Sequence, residues 1–239
     1  MTAIKASTRR RHLPTITSTE MSQSKITLYS YPTPNGVPIS SFLEELGVPY
    51  TVVKMSIFDK DRGKVHNHVK EPWFLDINLN ARMPAITHDG FNVIETSAIL
   101  LYLAAEFDKE RRFSYHPVEE AREYSVMLQW LFFAHGGIGP MQGQAGHFLN
   151  VAPEKIPYAQ KRYLDEVKRL YSVLETRLSR TEWLAGDKYT IADIKTHGWI
   201  RRAEYSFKFD FVEWPNLKKW LDRIEARPAV QKGVNIPPV

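Results

Sequence analysis

The chain has 239 residues, enough for one long domain or two small ones. With 43% hydrophobic and 25% charged residues it has the composition of a folded globular protein, and no apolar run approaches the roughly 20 residues of a membrane span. Residues 1–24 contain four bases and one acid, so they carry +3 of the net charge of +5 and leave +2 for the other 215 residues. We therefore expect neither nucleic acid nor a membrane as a partner.

Cysteine is absent from the chain. Its absence excludes disulfide frameworks, zinc sites built on thiolates and any mechanism that uses a protein cysteine as nucleophile. If sulfur chemistry occurs in this protein, the sulfur must arrive with a ligand. We expect no metal centre.

The first segment, residues 1–24, is rich in Ser and Thr, contains three consecutive arginines and has no acid before Glu20. We interpret it as a disordered tail of a cytoplasmic protein. The alternative is mitochondrial targeting by residues 1–20, which Pro14 disfavours because it interrupts an amphipathic helix. Met21 precedes the first strand-like run and is a candidate alternative start.

The next segment predicts a β-α-β unit. Residues 26–30 form a short β-prone run, and residues 50–55 form a second. Between them, apolar residues recur at helical spacing: Ile39, Phe42, Leu43 and Leu46. Pro38 suits the first turn of this helix, and Gly47 suits its end.

A β-hairpin is predicted after an irregular stretch. Residues 84–87 and 91–94 flank a turn that contains Gly90. Thr96 then begins a helical pattern. The order β-α-β, irregular stretch, β-β-α is that of a thioredoxin-like domain, which we place at residues 25–107.

The second half of the chain is predicted to be all-α. Residues 108–117 are charged and aperiodic, which is typical of a linker, and residues 118–239 follow as a helical domain. The helices are predicted over 118–135, 157–179, 191–205 and 214–226. Thr190 and Asp193 have the spacing of a capping box at the start of the third helix. The predicted fold class is an α+β thioredoxin-like domain followed by an all-α domain.

Short motifs distributed over residues 25–230 carry a resemblance to a known family. They are Tyr31–Gly36 (YPTPNG), Leu43–Gly47 (LEELG), Asn80–Ala85 (NARMPA), Glu95–Leu100 (ETSAIL), Trp130–Phe133 (WLFF), Gly139–Phe148 (GPMQGQAGHF) and Trp183–Asp187 (WLAGD). In this order they resemble the glutathione transferase superfamily, especially its bacterial nu class and the related fungal class that includes the yeast nitrogen regulator. The resemblance implies glutathione as co-substrate, a thioredoxin-like domain before a helical one, and a homodimer.

The reactive form of glutathione is its thiolate. Lowering a thiol pKa by about two units takes roughly 2.7 kcal/mol of preferential stabilisation of the anion, and a helix N-terminus with an added donor can supply much of it. The resemblance implies that Thr33 and Asn35 lie at the thiol as catalytic residues. Tyr29 and Tyr31 are rival donors, and an ordinary turn is the alternative reading of Thr33 and Asn35.

The resemblance also implies residues that bind the rest of glutathione. Glu95 pairs with the α-ammonium of the γ-glutamyl unit, while Thr96 caps the following helix and receives the carboxylate. Met83-Pro84 matches a cis-proline position that leaves the main chain of Met83 free for the cysteinyl unit. Leu79 stands where the family usually has a proline.

Two further subsites are implied. Lys70 and His68 are our candidates for the glycyl carboxylate, with His66 as a competitor, because Val69 occupies the slot that aligns with the family's binding residue. The alternative is that these side chains are solvated charges of a loop and bind no ligand. Arg162 corresponds to an arginine that in the nu class reaches a second glutathione or the disulfide form, and a guanidinium suits a carboxylate. An ordinary solvated helical base is the alternative there.

The implied function is that of a glutathione-dependent enzyme. Without a Tyr or Ser assigned to the thiol, Asn35 and Arg162 favour disulfide reduction by two glutathiones, with conjugation of a small electrophile or peroxide reduction alongside. Phe133 or His147 is the candidate contact for the electrophile. The alternatives are a carrier without turnover and a non-enzymatic regulator; the short tail, with a single Gln and no Asn, disfavours the regulator.

Overall fold

The structure is a computed structural model that describes residues 25–56 and 68–238. The tail at 1–24, the candidate start at Met21 and the competing His66 lie outside the described residues.

Four strands form one mixed sheet. They are β1 (Ile26–Ser30), β2 (Tyr50–Lys54), β3 (Ala85–His88) and β4 (Phe91–Ile94). Their order is β2-β1-β3-β4: β1 is parallel to β2 and antiparallel to β3, and β3 and β4 form the predicted hairpin. Alternate residues of β1 are buried, as expected for a strand with one face on the core: Ile26, Leu28 and Ser30.

The first helix, α1 (Val37–Leu46), begins and ends where the sequence predicts. Pro38 lies in its first turn, where a missing N–H costs nothing. Gly47 follows its last residue with a φ of 66°, and its N–H donates to the carbonyls of Leu43 and Glu44. The helix therefore holds the turn before it at a fixed place above the sheet.

The remaining helices follow in two groups. Beside the sheet lie a 3-10 turn (His68–Lys70), α2 (Pro72–Leu75) and α3 (Thr96–Phe107). The second half contains α4 (Ala121–Phe133), a π-helical segment (Ala134–Ile138), α5 (Gly139–Asn150), α6 (Pro157–Leu178), α7 (Ile191–Ile200), α8 (Ala203–Phe207), α9 (Pro215–Glu225) and α10 (Pro228–Gly233). Within the described part of the chain, no helix is both long and apolar enough to span a bilayer. The predicted fold class is confirmed.

Two predictions about helices were wrong. Helix α5 was missed, because Pro140 and three glycines lower the helical propensity of its sequence. Tertiary packing accounts for Gly139, where a Cβ would lie 3.1 Å from Trp199 Nε1, whereas a Cβ at Gly143 would make an ordinary contact of 3.6 Å with Trp199 Cη2. The predicted helix at 191–205 is divided into α7 and α8 by a turn.

The capping box that fixes α7 is confirmed. The hydroxyl of Thr190 accepts from the N–H of Ala192, and the Asp193 carboxylate accepts from the N–H of Thr190. Asp193 also accepts from the N–H of Leu184 at 2.9 Å and from Trp220 Nε1 at 2.8 Å. Because Asp193 is fully buried and bonded on several sides, it anchors the start of α7 to the loop before it and to α9.

The C-terminal helices return to α1. Arg227 binds the carboxylate of Glu45 in a bidentate pair with distances of 2.5 and 3.0 Å. Ser40 Oγ donates to the carbonyl of Gly233 at 2.7 Å, where a Cβ on Gly233 would lie 2.4 Å from Ser41 Cα. These contacts join the sheet and the helical half into one packed unit.

Candidate active site

The turn before α1 is built around Thr33 and Gly36. The N–H of Gly36 donates to the carbonyl of Thr33 at 3.0 Å and to its hydroxyl at 3.1 Å. A Cβ at Gly36 would lie 2.2 Å from the carbonyl oxygen of Tyr31, so only glycine fits there. The turn places the side chain of Asn35 in the wall of a cavity.

Two donors on α7 hold the carboxamide of Asn35. Lys195 Nζ donates to Asn35 Oδ1 at 2.8 Å, and Trp199 Nε1 donates to the same oxygen at 3.1 Å. Residues four apart share a helix face, which is why both donors converge on one atom. Because both groups are donors only, the amide orientation is fixed: Oδ1 faces α7, and Asn35 Nδ2 has no acceptor among the described residues.

Lys195 is a buried cation, with only 2% of its surface exposed. Burial lowers its pKa to about 8, against an opposing effect of the nearby Glu95 carboxylate. Lysines are rarely buried to this extent without a charged partner. The cavity therefore has a source of positive charge directly behind Asn35.

Glu95 and Thr96 lie at the junction of β4 and α3. Glu95 has a φ of 69°, a left-handed conformation that is strained for a non-glycine residue and common at functional sites. The expectation that Thr96 caps α3 was wrong: it is the first helical residue, and its hydroxyl donates to the carbonyl of Asn35 at 3.2 Å. The N-terminus of α3 has no side-chain cap, so its first N–H groups are available to an acceptor from outside the helix.

The main chain of Met83 lies between these elements. The Met83-Pro84 bond is cis, as the resemblance implied. Within residues 25–56 and 68–238, neither the N–H nor the C=O of Met83 has a hydrogen-bond partner. The loop before it is held by Asn78, whose Nδ2 donates to the carbonyl of Arg82 at 2.6 Å and whose Oδ1 accepts from the N–H of Asn80 at 3.0 Å.

The π-helical segment between α4 and α5 adds a histidine. His135 Nδ1 lies 3.1 Å from Ser97 Oγ, and its Nε2 lies 3.8 Å from Glu95 Oε2. Burial and then the charge of Lys195 lower the pKa of His135, and Glu95 opposes them. π-Helical turns inside α-helices often occur at functional sites. Here the turn brings the imidazole to the same cavity wall as Glu95.

These groups line one cavity of about 580 Å³ between the sheet domain and the helical half. Its lining residues are Asn35, Asn78, Asn80, Arg82, Met83, Pro84, Glu95, Thr96, His135, Gly139, Pro140, Gly143, Gln144, Lys195 and Trp199. The wall contains several side-chain amides and charges of both signs, which suits a small zwitterionic or anionic ligand better than a purely apolar one. Within the described residues, no group of His, Asp and Glu side chains could hold a metal ion.

The structure thus brings five of the nine candidate site residues together: Asn35, Met83, Pro84, Glu95 and Thr96. The other four do not line the cavity. Thr33 forms the turn beneath Asn35. His68 accepts from the N–H of Ser56 at 3.4 Å, and Lys70 is exposed in the same 3-10 turn.

Arg162 lies elsewhere, in an open groove of about 800 Å³ along α6. Its neighbours there include Met141, Tyr158 and Lys161. Phe133 and His147, the candidate contacts for an electrophile, line neither this groove nor the cavity at Asn35.

Ten of the fifteen lining residues were not among the candidates, and four of these ten have basic or aromatic side chains: Arg82, His135, Lys195 and Trp199. Lys195 and Trp199 have the four-residue spacing that many solvated or core pairs on helices also have. Nothing in the local sequence pattern therefore distinguished them as cavity residues. His135 and Arg82 stand inside or beside quoted motifs, and their position next to Phe133 and Met83 was the available signal.

The fold and the cavity define a class of two-domain protein, in which a thioredoxin-like sheet domain presents a ligand site to a helical domain. Two family models match the chain: the glutathione S-transferase N-terminal domain over residues 24–105 and the glutathione S-transferase C-terminal domain over residues 138–228. The chain belongs to the glutathione S-transferase family.

Individual relatives are also similar over most of their length. The disulfide-bond oxidoreductase YfcG of Escherichia coli is 43% identical over 216 residues, which cover 87% of this chain and 94% of the relative. The transcriptional regulator URE2 of Saccharomyces cerevisiae is 33% identical over 247 residues, covering 87% of this chain and 67% of the regulator.

Solved structures give the same result. A glutathione transferase homologue from Lodderomyces elongisporus, crystallised with two GSH per subunit, has a TM-score of 0.81 and 43% identity, covering 90% of this chain and 99% of that one. At 43% identity, this chain resembles these relatives in sequence as well as in fold.

Proposed function

We propose that the protein is a glutathione-dependent thiol-disulfide oxidoreductase that uses the thiolate of bound glutathione and has a secondary glutathione transferase activity. The observation that carries the proposal is the Asn35 carboxamide. Its oxygen is held by Lys195 and Trp199, so its Nδ2 is left as a fixed donor at the mouth of α1. A pre-oriented donor at a helix N-terminus stabilises a thiolate more than the neutral thiol.

The charges of the cavity support glutathione as the ligand. Glutathione carries two carboxylates and one ammonium. The cavity offers the cations Arg82 and Lys195 and the anion Glu95, while burial lowers the pKa of His135 and favours its neutral form. The net charges of ligand and site are therefore opposite.

Each part of glutathione has a proposed place. The α-ammonium binds Glu95, and the α-carboxylate binds the uncapped N-terminus of α3 at Thr96. The cysteinyl unit pairs with the main chain of Met83, beside the cis bond to Pro84, in the manner of an added strand. Its sulfur then lies at Asn35, with Thr33 shaping the turn.

The glycyl carboxylate has three candidate cations. Lys70 and His68 remain candidates from the family pattern, and Arg82 joins them because it lines the cavity. The Arg82 guanidinium offers a bidentate fork to a carboxylate, which an ammonium does not.

The proposed reaction needs no protein cysteine. The sulfur of bound glutathione attacks one sulfur of a substrate disulfide, the substrate S–S bond breaks, and the departing thiolate takes a proton from solvent. A second glutathione thiolate then attacks the glutathionyl sulfur of the mixed disulfide, which releases the other substrate thiol and glutathione disulfide. Two electrons pass from two glutathiones to one disulfide. We propose the groove at Arg162 as the place where the second glutathione, or the disulfide product, is held.

Conjugation is the proposed second activity. The same thiolate attacks an electrophilic carbon and expels its leaving group as an anion, so the chemistry requires no further protein group. We expect turnover with an aromatic electrophile to be slower than disulfide reduction, because the donor assigned to the thiol is Asn35 rather than a Tyr or Ser hydroxyl.

The test is glutathione-dependent turnover of the full chain. A small dialkyl disulfide and a chloro-nitroaromatic are assayed side by side, with Asn35→Asp as the matched inactive variant. Fast disulfide reduction with slow conjugation supports the proposal. Fast conjugation alone identifies a conjugating transferase, and glutathione binding without either activity identifies a non-enzymatic binding protein; both contradict it.

Assembly, domain limits and location are part of the proposal. We propose residues 25–107 as the glutathione-binding domain, joined by residues 108–117 to the helical domain at 118–239, and a homodimer of such chains. We place the protein in the cytoplasm, with mitochondrial targeting by residues 1–20 as the alternative. Light scattering and a fluorescent fusion with and without residues 1–20 test these points.

A further inference from the structure

Lys195 is an incompletely paired cation at the bottom of the cavity. Its ammonium group has three donors, of which one is used by Asn35 Oδ1. Among the described residues, no carboxylate lies within ion-pair distance of Lys195 Nζ, although 98% of the residue's surface is covered. A buried charge without an ionic partner is costly, so its presence favours a ligand that supplies the missing negative charge.

The neighbours of Lys195 do not explain its burial. The charged or titratable side chains that act on it are Glu95, at the start of α3, and His135, in the π-helical segment. Glu95 is half-exposed, with 52% of its side chain accessible, and is assigned above to the ligand's ammonium. In the proposed binding mode Glu95 pairs with the ligand's ammonium, and the thiolate is the anion assigned to Asn35, which Lys195 contacts.

We propose that Lys195 is a positioning residue that orients and polarises the Asn35 carboxamide toward the glutathione thiolate; this inference rests on the proposed function. An ammonium bound at Oδ1 draws electron density from the amide and makes the Nδ2 hydrogens stronger donors. Trp199, the second donor, contributes orientation but no charge. Lys195 therefore acts on the thiolate through Asn35.

This arrangement predicts that Lys195 and the bound thiol each change the pKa of the other. Burial lowers the pKa of Lys195 to about 8, so its charge is lost as the pH rises through that value. A bound thiolate stabilises the ammonium, and by linkage the ammonium stabilises the thiolate. The contribution of Lys195 is therefore greatest at low pH, where glutathione would otherwise be a thiol, and vanishes at high pH.

The experiment follows the ultraviolet absorbance of the bound thiolate against pH in the wild type, Lys195→Met, Asn35→Ala and the double variant. In Lys195→Met we expect the pKa of the bound thiol to rise by about 1 and disulfide turnover below that pKa to fall about tenfold. In the Asn35→Ala background the same substitution should add little, because its route to the thiol is already removed. Lys218→Met, which removes a surface lysine on α9, is the matched control and should change neither.

Three outcomes overturn the proposal: an unchanged thiol pKa in Lys195→Met, an equal rise with and without Asn35, or a loss of folding stability with no change in the pH profile. If Lys195→Met does not fold, Lys195→Gln keeps a donor to Asn35 and removes only the charge, and it should still raise the thiol pKa. Failure of the wild type to bind glutathione as a thiolate contradicts the proposed function itself. Normal binding with unaltered Lys195 variants contradicts only the role of Lys195.

Discussion

Gly198 on α7 lies directly against the main chain of Pro34: a Cβ built at Gly198 would stand 2.4 Å from the Pro34 carbonyl oxygen and 2.6 Å from Pro38 Cγ. The missing side chain thus sets the distance between the helical half and the turn that carries Asn35. Because Lys195 is on the same helix, this close approach is what brings its ammonium within 2.8 Å of Asn35 Oδ1.

Gly198→Ala should push α7 away from the turn. We expect the protein to lose roughly 1 to 3 kcal/mol of stability from overpacking, and disulfide turnover to fall by about 10²-fold because the donor at the thiol is displaced. Gly146→Ala on α5 is the matched control, since a Cβ there meets nothing within 4 Å, and it should be stabilising by about 0.5 to 1 kcal/mol with normal activity. Steady-state kinetics measure the turnover of both variants, and thermal unfolding measures their stability. Normal turnover in Gly198→Ala would show that the contact is not needed.

Asn35→Asp should separate catalysis from folding. The new carboxylate still accepts from Lys195 and Trp199, so the helix contact is kept, but the Nδ2 donor is replaced by a negatively charged oxygen beside the thiolate. We expect kcat/KM for disulfide reduction to fall by about 10²- to 10³-fold, with a raised pKa of the bound thiol. A pH profile that matches the wild type would remove Asn35 from the thiol site.

Glu95→Gln should weaken binding more than chemistry. The amide keeps the shape of the side chain at φ 69° but loses the charge that we assign to the ligand's ammonium. The affinity for glutathione is expected to fall about tenfold with a small change in kcat, since a charge-assisted hydrogen bond contributes about 1.5 to 3 kcal/mol. Calorimetry with N-acylated glutathione is the check: the acyl group should weaken binding to the wild type and cost Glu95→Gln almost nothing further.

The N-terminal half of the site could be predicted because its residues belong to local turns. Asn35 lies just before α1, Met83 just before β3, and Glu95 between β4 and α3. Short motifs therefore identify them, and their spacing along the chain carries the family resemblance. The hydrogen bond from Lys195 to Asn35 joins residues 160 positions apart in the chain, and no local sequence pattern predicts a contact between residues so far apart. Gly139 of α5 was misleading for the same reason, because the lack of a side chain there leaves room for Trp199 of α7.

The glycyl carboxylate provides a test between Arg82 and Lys70. Arg82 lines the cavity and Lys70 does not, so we expect Arg82→Met to weaken glutathione binding about tenfold and Lys70→Met to change it less than twofold. The readout is the affinity for glutathione relative to its glycyl amide, which lacks that carboxylate. A loss of affinity in Lys70→Met alone would instead assign the glycyl carboxylate to Lys70 in the 3-10 turn.

His197, on the face of α7 away from the cavity, should make stability depend on pH. It is 1% exposed, its Nε2 lies 3.7 Å from Glu225 Oε1, and burial lowers its pKa below the usual 6.5. The unfolded chain therefore binds the proton more tightly than the folded one, so stability is full above about pH 6.5 and declines as the pH falls below it.

His197→Phe should remove this part of the decline. Thermal unfolding at about pH 7.5 and about pH 5.5 is expected to show a smaller difference in Tm for the variant than for the wild type, while His147→Gln, at an exposed position on α5, should keep the wild-type difference. Glu225 does not add to the decline between these two pH values, because its pKa is lowered from the usual 4.5 and the carboxylate stays ionised throughout this range. An unchanged difference in Tm would mean that the histidine does not titrate with unfolding in this range.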